Sequence, residues 1–68
     1  MREAILYPGE DNLWVAECLS LPGCISQGAT KEAAIVNIKE AIEGYLAVLK
    51  EDGLSIPPEK FEAFVVAV

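Results

Sequence analysis

The hydroxyls of Ser20, Ser26 and Ser55 and the thiols of Cys18 and Cys24 are candidate nucleophiles in this 68-residue chain. Such groups are weak until a neighbouring base takes their proton. The chain has no histidine, so Ser–His and Cys–His mechanisms are excluded. The carboxylates Glu10, Asp11 and Glu17 are a second candidate set, and clustered carboxylates can hold Mg²⁺ for hydrolysis of a phosphodiester. Glu10 and Asp11 fall in a turn-rich stretch, however, and Glu17 near the end of a strand, with no third ligand converging on them. Gly9, Gly23 and Gly28 stand apart, and no Gly-Lys-Ser/Thr follows, so there is no phosphate loop. A zinc site needs about four ligands, which two cysteines without histidine do not supply. The expectation is a chain with no catalytic residue, no metal and no cofactor.

The elements that carry these groups read as β-β-β-α-β. Residues 2–7 form a first strand, and Pro8 to Asn12 is a dense turn cluster. Leu13 to Cys18 forms a second strand and Cys24 to Gly28 a short third one, giving an antiparallel meander. The joint from Leu21 to Ala33 is the most structured stretch. Pro22-Gly23 presets a turn, because proline fixes φ and glycine accepts φ > 0. Thr30 can cap a helix, and Glu32 lies where the helix dipole favours negative charge. The spacing of Ala34, Ile38, Ala41, Ile42, Tyr45, Leu46 and Leu49 predicts an amphipathic helix over 31–50, with Ile35 widening its apolar stripe. Gly44 inside it is expected to allow close contact with a strand, and Gly53 to end it as a C′ residue. Ile56-Pro57-Pro58-Glu59 reads as an extended connector.

Residues 61–68 read as a last strand, apolar on both alternating faces, as in strands buried on both sides. One helix covers one face of a sheet. The other face should then meet a second protein chain, with Phe64, Val66 and Val68 at the interface of a homo-oligomer, a dimer or tetramer. The hydrophobic fraction of 53% is high for a domain of this size, which agrees.

The charge distribution sets the class of partner. Net charge is −6. Glu3, Glu10, Asp11 and Glu17 precede Thr30 with no lysine or arginine among them. Phosphate contacts need clustered cations, so no direct binding of nucleic acid is expected. An acidic face suits a basic partner, whose approach it steers. Tyr7, Glu10, Asp11, Trp14 and Glu17 are the candidate partner-binding residues. Trp14 and Tyr7 have two readings, a large side chain packed on the sheet or an anchor at an interface, where tryptophan is enriched. No apolar run approaches the roughly 20 residues of a membrane span, and no signal peptide is visible. The chain is therefore expected to stay in the cytoplasm, with Cys18 and Cys24 reduced and buried.

Tyr7-Pro8-Gly9-Glu10-Asp11, Trp14-Val15-Ala16-Glu17-Cys18, the stretch Leu21 to Gly28, the Thr30 helix start and Asn37 to Ile42 resemble the HicB antitoxin family over nearly the whole chain. The resemblance implies a single domain over residues 1–68 with a partial ribonuclease-H-like core. Three antiparallel strands would precede one helix, and the last strand would lie parallel to the first by a right-handed crossover. It implies a non-enzymatic protein that covers the RNA-binding surface of a small basic HicA-type toxin. Many family members carry a further DNA-binding domain. This sequence ends directly after the last core strand, so operator binding is not expected of it. An orphan oligomeric binding module without a toxin stands as the alternative.

Overall fold

The computed structural model describes residues 2–59 and 65–68. Three strands, β1 (Ile5–Pro8), β2 (Trp14–Glu17) and β3 (Ile25–Gly28), precede one helix, α1 (Lys31–Glu51). The strands form an antiparallel sheet in the order β1-β2-β3.

Each connection follows from its turn residues. Asp11 and Asn12 have φ of 55° and 61°, and the Leu13 N–H donates to the Glu10 carbonyl at 3.0 Å. Two central residues with positive φ match the right-handed strand twist, and Asp and Asn tolerate that region best after glycine. Pro22-Gly23 turns the chain as expected. Gly23 has φ 78°, and the Cys24 N–H closes the turn on the Leu21 carbonyl at 3.0 Å, the signature of a type II turn.

The helix starts and stops where its caps dictate. The Thr30 hydroxyl accepts from the Ala33 N–H at 3.0 Å. At the other end Gly53 has φ 67°. The Gly53 N–H donates to the Lys50 carbonyl and the Leu54 N–H to the Leu49 carbonyl, which is the Schellman pattern.

Register fixes the two faces of the sheet, because side chains alternate. Leu6 pairs with Ala16 and Ala16 with Ser26, while Tyr7 pairs with Val15 and Val15 with Gln27. The Ala16 face meets α1. Its buried core is Ala16, Cys18, Leu21, Cys24, Ala34 and Ile38, with Trp14, Ala41, Ile42, Tyr45 and Leu46 packed around it. Small residues at 16 and 34 let the helix lie close to the sheet. It packs mainly on β3 and less on β2, so Leu6 on β1 keeps 37% of its surface exposed.

Three expectations change. Ile35 does not widen the buried stripe, since it lies 44% exposed. Its position points away from the two strands that α1 covers. None of the described strands reaches Gly44: a Cβ built there meets nothing within 4 Å among the described residues. The last strand is not found among the described residues. Phe61 to Phe64 fall outside them, while Val65 to Val68 adopt no regular structure and are exposed.

The connector after α1 returns to the start of the chain. Arg2 donates to the Ser20 hydroxyl at 3.1 Å and to the Pro57 carbonyl. The Ser20 hydroxyl donates to Glu59 at 2.6 Å, and the Glu3 N–H donates to the same carboxylate at 2.7 Å. Arg2 lies 3.6 Å from Glu59. Glu59 is thereby held beside the entry to β1.

Candidate protein-docking surface

Among the described residues, nothing is packed over the face opposite α1. Register places Ile5 and Tyr7 of β1, Val15 and Glu17 of β2, and Ile25 and Gln27 of β3 on it. Ile5, Tyr7 and Ile25 are exposed, and Val15 and Glu17 are half-buried. Four of these six are apolar or aromatic.

Tyr7 and Glu17 sit diagonally on neighbouring strands, within reach of long side chains. The Tyr7 hydroxyl donates to Glu17 Oε1 at 3.0 Å. That hydrogen bond raises the phenol above its ordinary value of 10.0, with desolvation and the Glu17 charge adding to the rise. The pair places a fixed carboxylate in the middle of an apolar face, where a cation from a partner would find it pre-oriented.

Glu10 and Asp11 occupy the tip of the β1–β2 hairpin, both exposed. All five residues marked by sequence belong to this hairpin, four of them on its open face or at its tip. Trp14 is separated from them. It lies on the helix side, half-buried against the core, with the Lys31 ammonium 4.7 Å from its ring centroid. A cation over an indole face is attractive, so Trp14 ties the helix start to β2. Of the proposed oligomer residues, Phe64 falls outside the described residues, and Val66 and Val68 are exposed with no regular structure.

Three of the five candidate nucleophiles, Cys18, Cys24 and Ser20, are held in structural contacts. Cys18 and Cys24 are free and buried. Burial, and secondarily Cys18, pushes the Cys24 thiol up from its ordinary value, away from a reactive thiolate. Ser20 is bound by Arg2 and Glu59. Among the described residues no three His, Cys, Asp or Glu side chains are grouped to hold a metal ion, and no helix is long and apolar enough to cross a membrane.

Sequence reasoning missed the Tyr7–Glu17 bond, although its signal was present: the turn at Asp11-Asn12 fixes which residues face one another. The Arg2–Ser20–Glu59 cluster had no such signal, because it depends on where the connector returns.

Among the described residues, a three-stranded antiparallel sheet with one helix on one face and an acidic hairpin tip defines an α+β domain. Residues 3–66 match the family described as the HicB-like antitoxin of bacterial toxin-antitoxin systems, and the chain belongs to that family. It is 42% identical over 62 residues to a UPF0150 protein of Thermoplasma acidophilum, covering 91% of this chain and 90% of that one. It is 45% identical over 51 residues to a UPF0150 protein of Helicobacter pylori, covering 75% of this chain and 71% of that one. A UPF0150 protein of Synechocystis is 47% identical over 49 residues, covering 72% of this chain and 62% of that one. No solved structure matches the chain.

Proposed function

We propose that the chain is a non-enzymatic, cytoplasmic antitoxin that binds a basic HicA-type toxin and covers its RNA-binding surface. The observation that carries this reading is the open sheet face, with the oriented Glu17 at its centre and Glu10 and Asp11 at the end of the same hairpin. A surface that binds RNA is cationic. Carboxylates set among apolar side chains offer it negative charge and desolvating contact together, and charge complementarity of this kind raises the association rate. In this reading Tyr7 and Glu17 contact the toxin, Glu10 and Asp11 steer it, and Trp14 supports the hairpin from behind.

The finer fold, a four-stranded mixed sheet of partial ribonuclease-H-like form, is part of the same proposal. The hold on Glu59 by Ser20 and Glu3 delivers the chain to the open edge of β1, where a strand parallel to β1 would begin.

The test is calorimetric titration of the chain with the HicA-type toxin of its own host, at low salt. Replacing Glu10, Asp11 and Glu17 by Gln, Asn and Gln should weaken binding by about tenfold or more, since partly exposed charge pairs contribute up to about 1 kcal/mol each. Unchanged affinity would overturn the assignment of this face.

A further inference from the structure

Cys18 and Cys24 have no part in the docking surface, yet register brings them together. Glu17 pairs with Ile25, and one step further along the same ladder Cys18 stands opposite Cys24. The Cys18 N–H donates to the Cys24 carbonyl at 3.0 Å, so the two form a hydrogen-bonded rung. Cα atoms on such a rung lie about 5.5 Å apart, inside the span of about 4.4–6.8 Å that a disulfide bridges. Alternation from Ala16 and Ser26 puts both side chains on the α1 side, and both thiols are free and buried. We propose that Cys18 and Cys24 are an oxidation site, two thiols that hydrogen peroxide converts to a reversible disulfide within one chain.

The segment between them already holds its ends together. The Leu21 N–H donates to the Cys18 carbonyl at 3.2 Å, and the Cys24 N–H to the Leu21 carbonyl at 3.0 Å. Leu21 is fully buried. The Tyr45 hydroxyl donates to the Pro22 carbonyl at 3.0 Å, which ties the turn to α1. The Cys18 Sγ lies 3.5 Å from the Ser20 Oγ, a weak contact that rotation of the thiol toward Cys24 gives up. Closing the bond therefore asks for side-chain rotation and leaves the turn in place.

Access selects the oxidant. Cys24 lines an apolar groove of about 400 Å³ between the start of β3 and the C-terminal half of α1. No charged residue is among the described lining, and the chain carries a net charge of −6. A bulky anionic oxidant such as oxidised glutathione finds nothing there to hold it, whereas hydrogen peroxide is small and uncharged. Gly44 lines the same groove, and a Cβ built on it meets nothing within 4 Å among the described residues, so its missing side chain leaves the way to Cys24 unfilled.

The chemistry balances with peroxide alone. The Cys24 thiol gives up its proton, and its sulfur attacks one peroxide oxygen. The O–O bond breaks, and the departing hydroxide takes the proton and leaves as water. Cys24 then carries a sulfenic acid, which condenses with a thiol. The Cys18 sulfur attacks the Cys24 sulfur, the S–S bond forms and the S–O bond breaks. The hydroxyl leaves with the Cys18 proton as a second water. The two thiols have lost two electrons and the peroxide has gained them. An external thiol reverses the bond by exchange. Burial first, and the Cys18 charge second, raise the Cys24 thiol above its ordinary value. The thiolate is the attacking form, so the pair oxidises slowly and answers sustained exposure. The same burial does not oppose the product, because a disulfide carries no charge to desolvate.

The experiment treats the reduced full chain with excess hydrogen peroxide, quenches it, blocks remaining thiols with iodoacetamide in urea and reads the intact mass. The parent should lose two hydrogen atoms, take up no blocking group and keep the mass of one chain. Dithiothreitol should restore both thiols. Closing so short a ring should raise the urea midpoint by roughly 1–2 M. Gly44→Leu fills the groove and should slow the oxidation several-fold. Gly44→Ala gives the helix a similar gain without the bulk and should stay near the parental rate. A parent that keeps both thiols, gains oxygen as sulfinic acid or links two chains overturns the proposal. Equal rates in Gly44→Leu and Gly44→Ala overturn the groove as the way in.

Discussion

Gly28 is the position where a single methyl group should do most harm. It ends β3, and the first turn of α1 lies directly over it. A Cβ at residue 28 would sit 2.5 Å from the Ala34 nitrogen, 2.8 Å from the Ala33 carbonyl carbon and 2.8 Å from Ala33 Cβ. Two of these atoms are helix backbone, so no side-chain rotation relieves the clash. Restoring ordinary contact means lifting the helix start by roughly 1 Å in a core packed to crystal density. Ala34 is fully buried and Ile38 nearly so, and both would lose contact with Ala16. Overpacking of this kind costs about 1–3 kcal/mol. At about 0.05–0.15 kcal/mol per residue, a chain of this length has about 3–10 kcal/mol in all. Urea unfolding followed by Trp14 fluorescence reads the effect. With a slope of about 1 kcal/mol per molar, Gly28→Ala should lower the midpoint by about 1–3 M. Gly44→Ala is the internal control, since its Cβ meets open space, and it should be neutral or stabilising by up to about 1 kcal/mol. If both variants unfolded at the parental midpoint, the close seat of α1 on β3 would be refuted.

Ile38→Ala removes a buried side chain from the centre of the helix stripe and should cost about 2–5 kcal/mol, read as a lowered urea midpoint. Gly23→Ala places a Cβ at φ 78° and should cost about 1 kcal/mol or more in the same assay. Glu59 contributes to the acid response. The Ser20 hydroxyl first, then the Glu3 N–H and Arg2, hold its carboxyl below the ordinary value of 4.5. A carboxyl that is more acidic folded than unfolded stabilises the fold at pH above that ordinary value, and loses its contribution as pH falls through the folded one. Carbon-detected NMR should find the Glu59 midpoint below 4.5 in the parent and shifted upward in Ser20→Ala.

Local rules made most of the fold readable. Thr30, Pro22-Gly23 and Gly53 each act through a backbone requirement that sequence states directly, and each stands where its chemistry demands. The helix stripe was also legible, because burial repeats with the helical period. Ile35 was misread for a physical reason: periodicity gives the width of an apolar arc but not the width of the sheet beneath it. α1 covers β3 and β2, and Ile35 extends past them.

The candidate site was legible only in part, and the division is instructive. Tyr7, Glu10, Asp11 and Glu17 belong to one hairpin, so their association is a local matter of turn and register. Trp14 belongs to that hairpin too, but strand alternation puts it with Pro8 and Ala16 on the covered face, where Lys31 lies over its ring. Parity along β2 therefore separates two sets: residues 15 and 17 lie on the open face, and residues 14 and 16 face the helix. A shift of one residue in the β1–β2 register would exchange the two sets, burying Glu17 and exposing Trp14. The Asp11-Asn12 turn prevents that shift, so the acidic hairpin tip fixes which side chains the open face presents, besides carrying charge of its own.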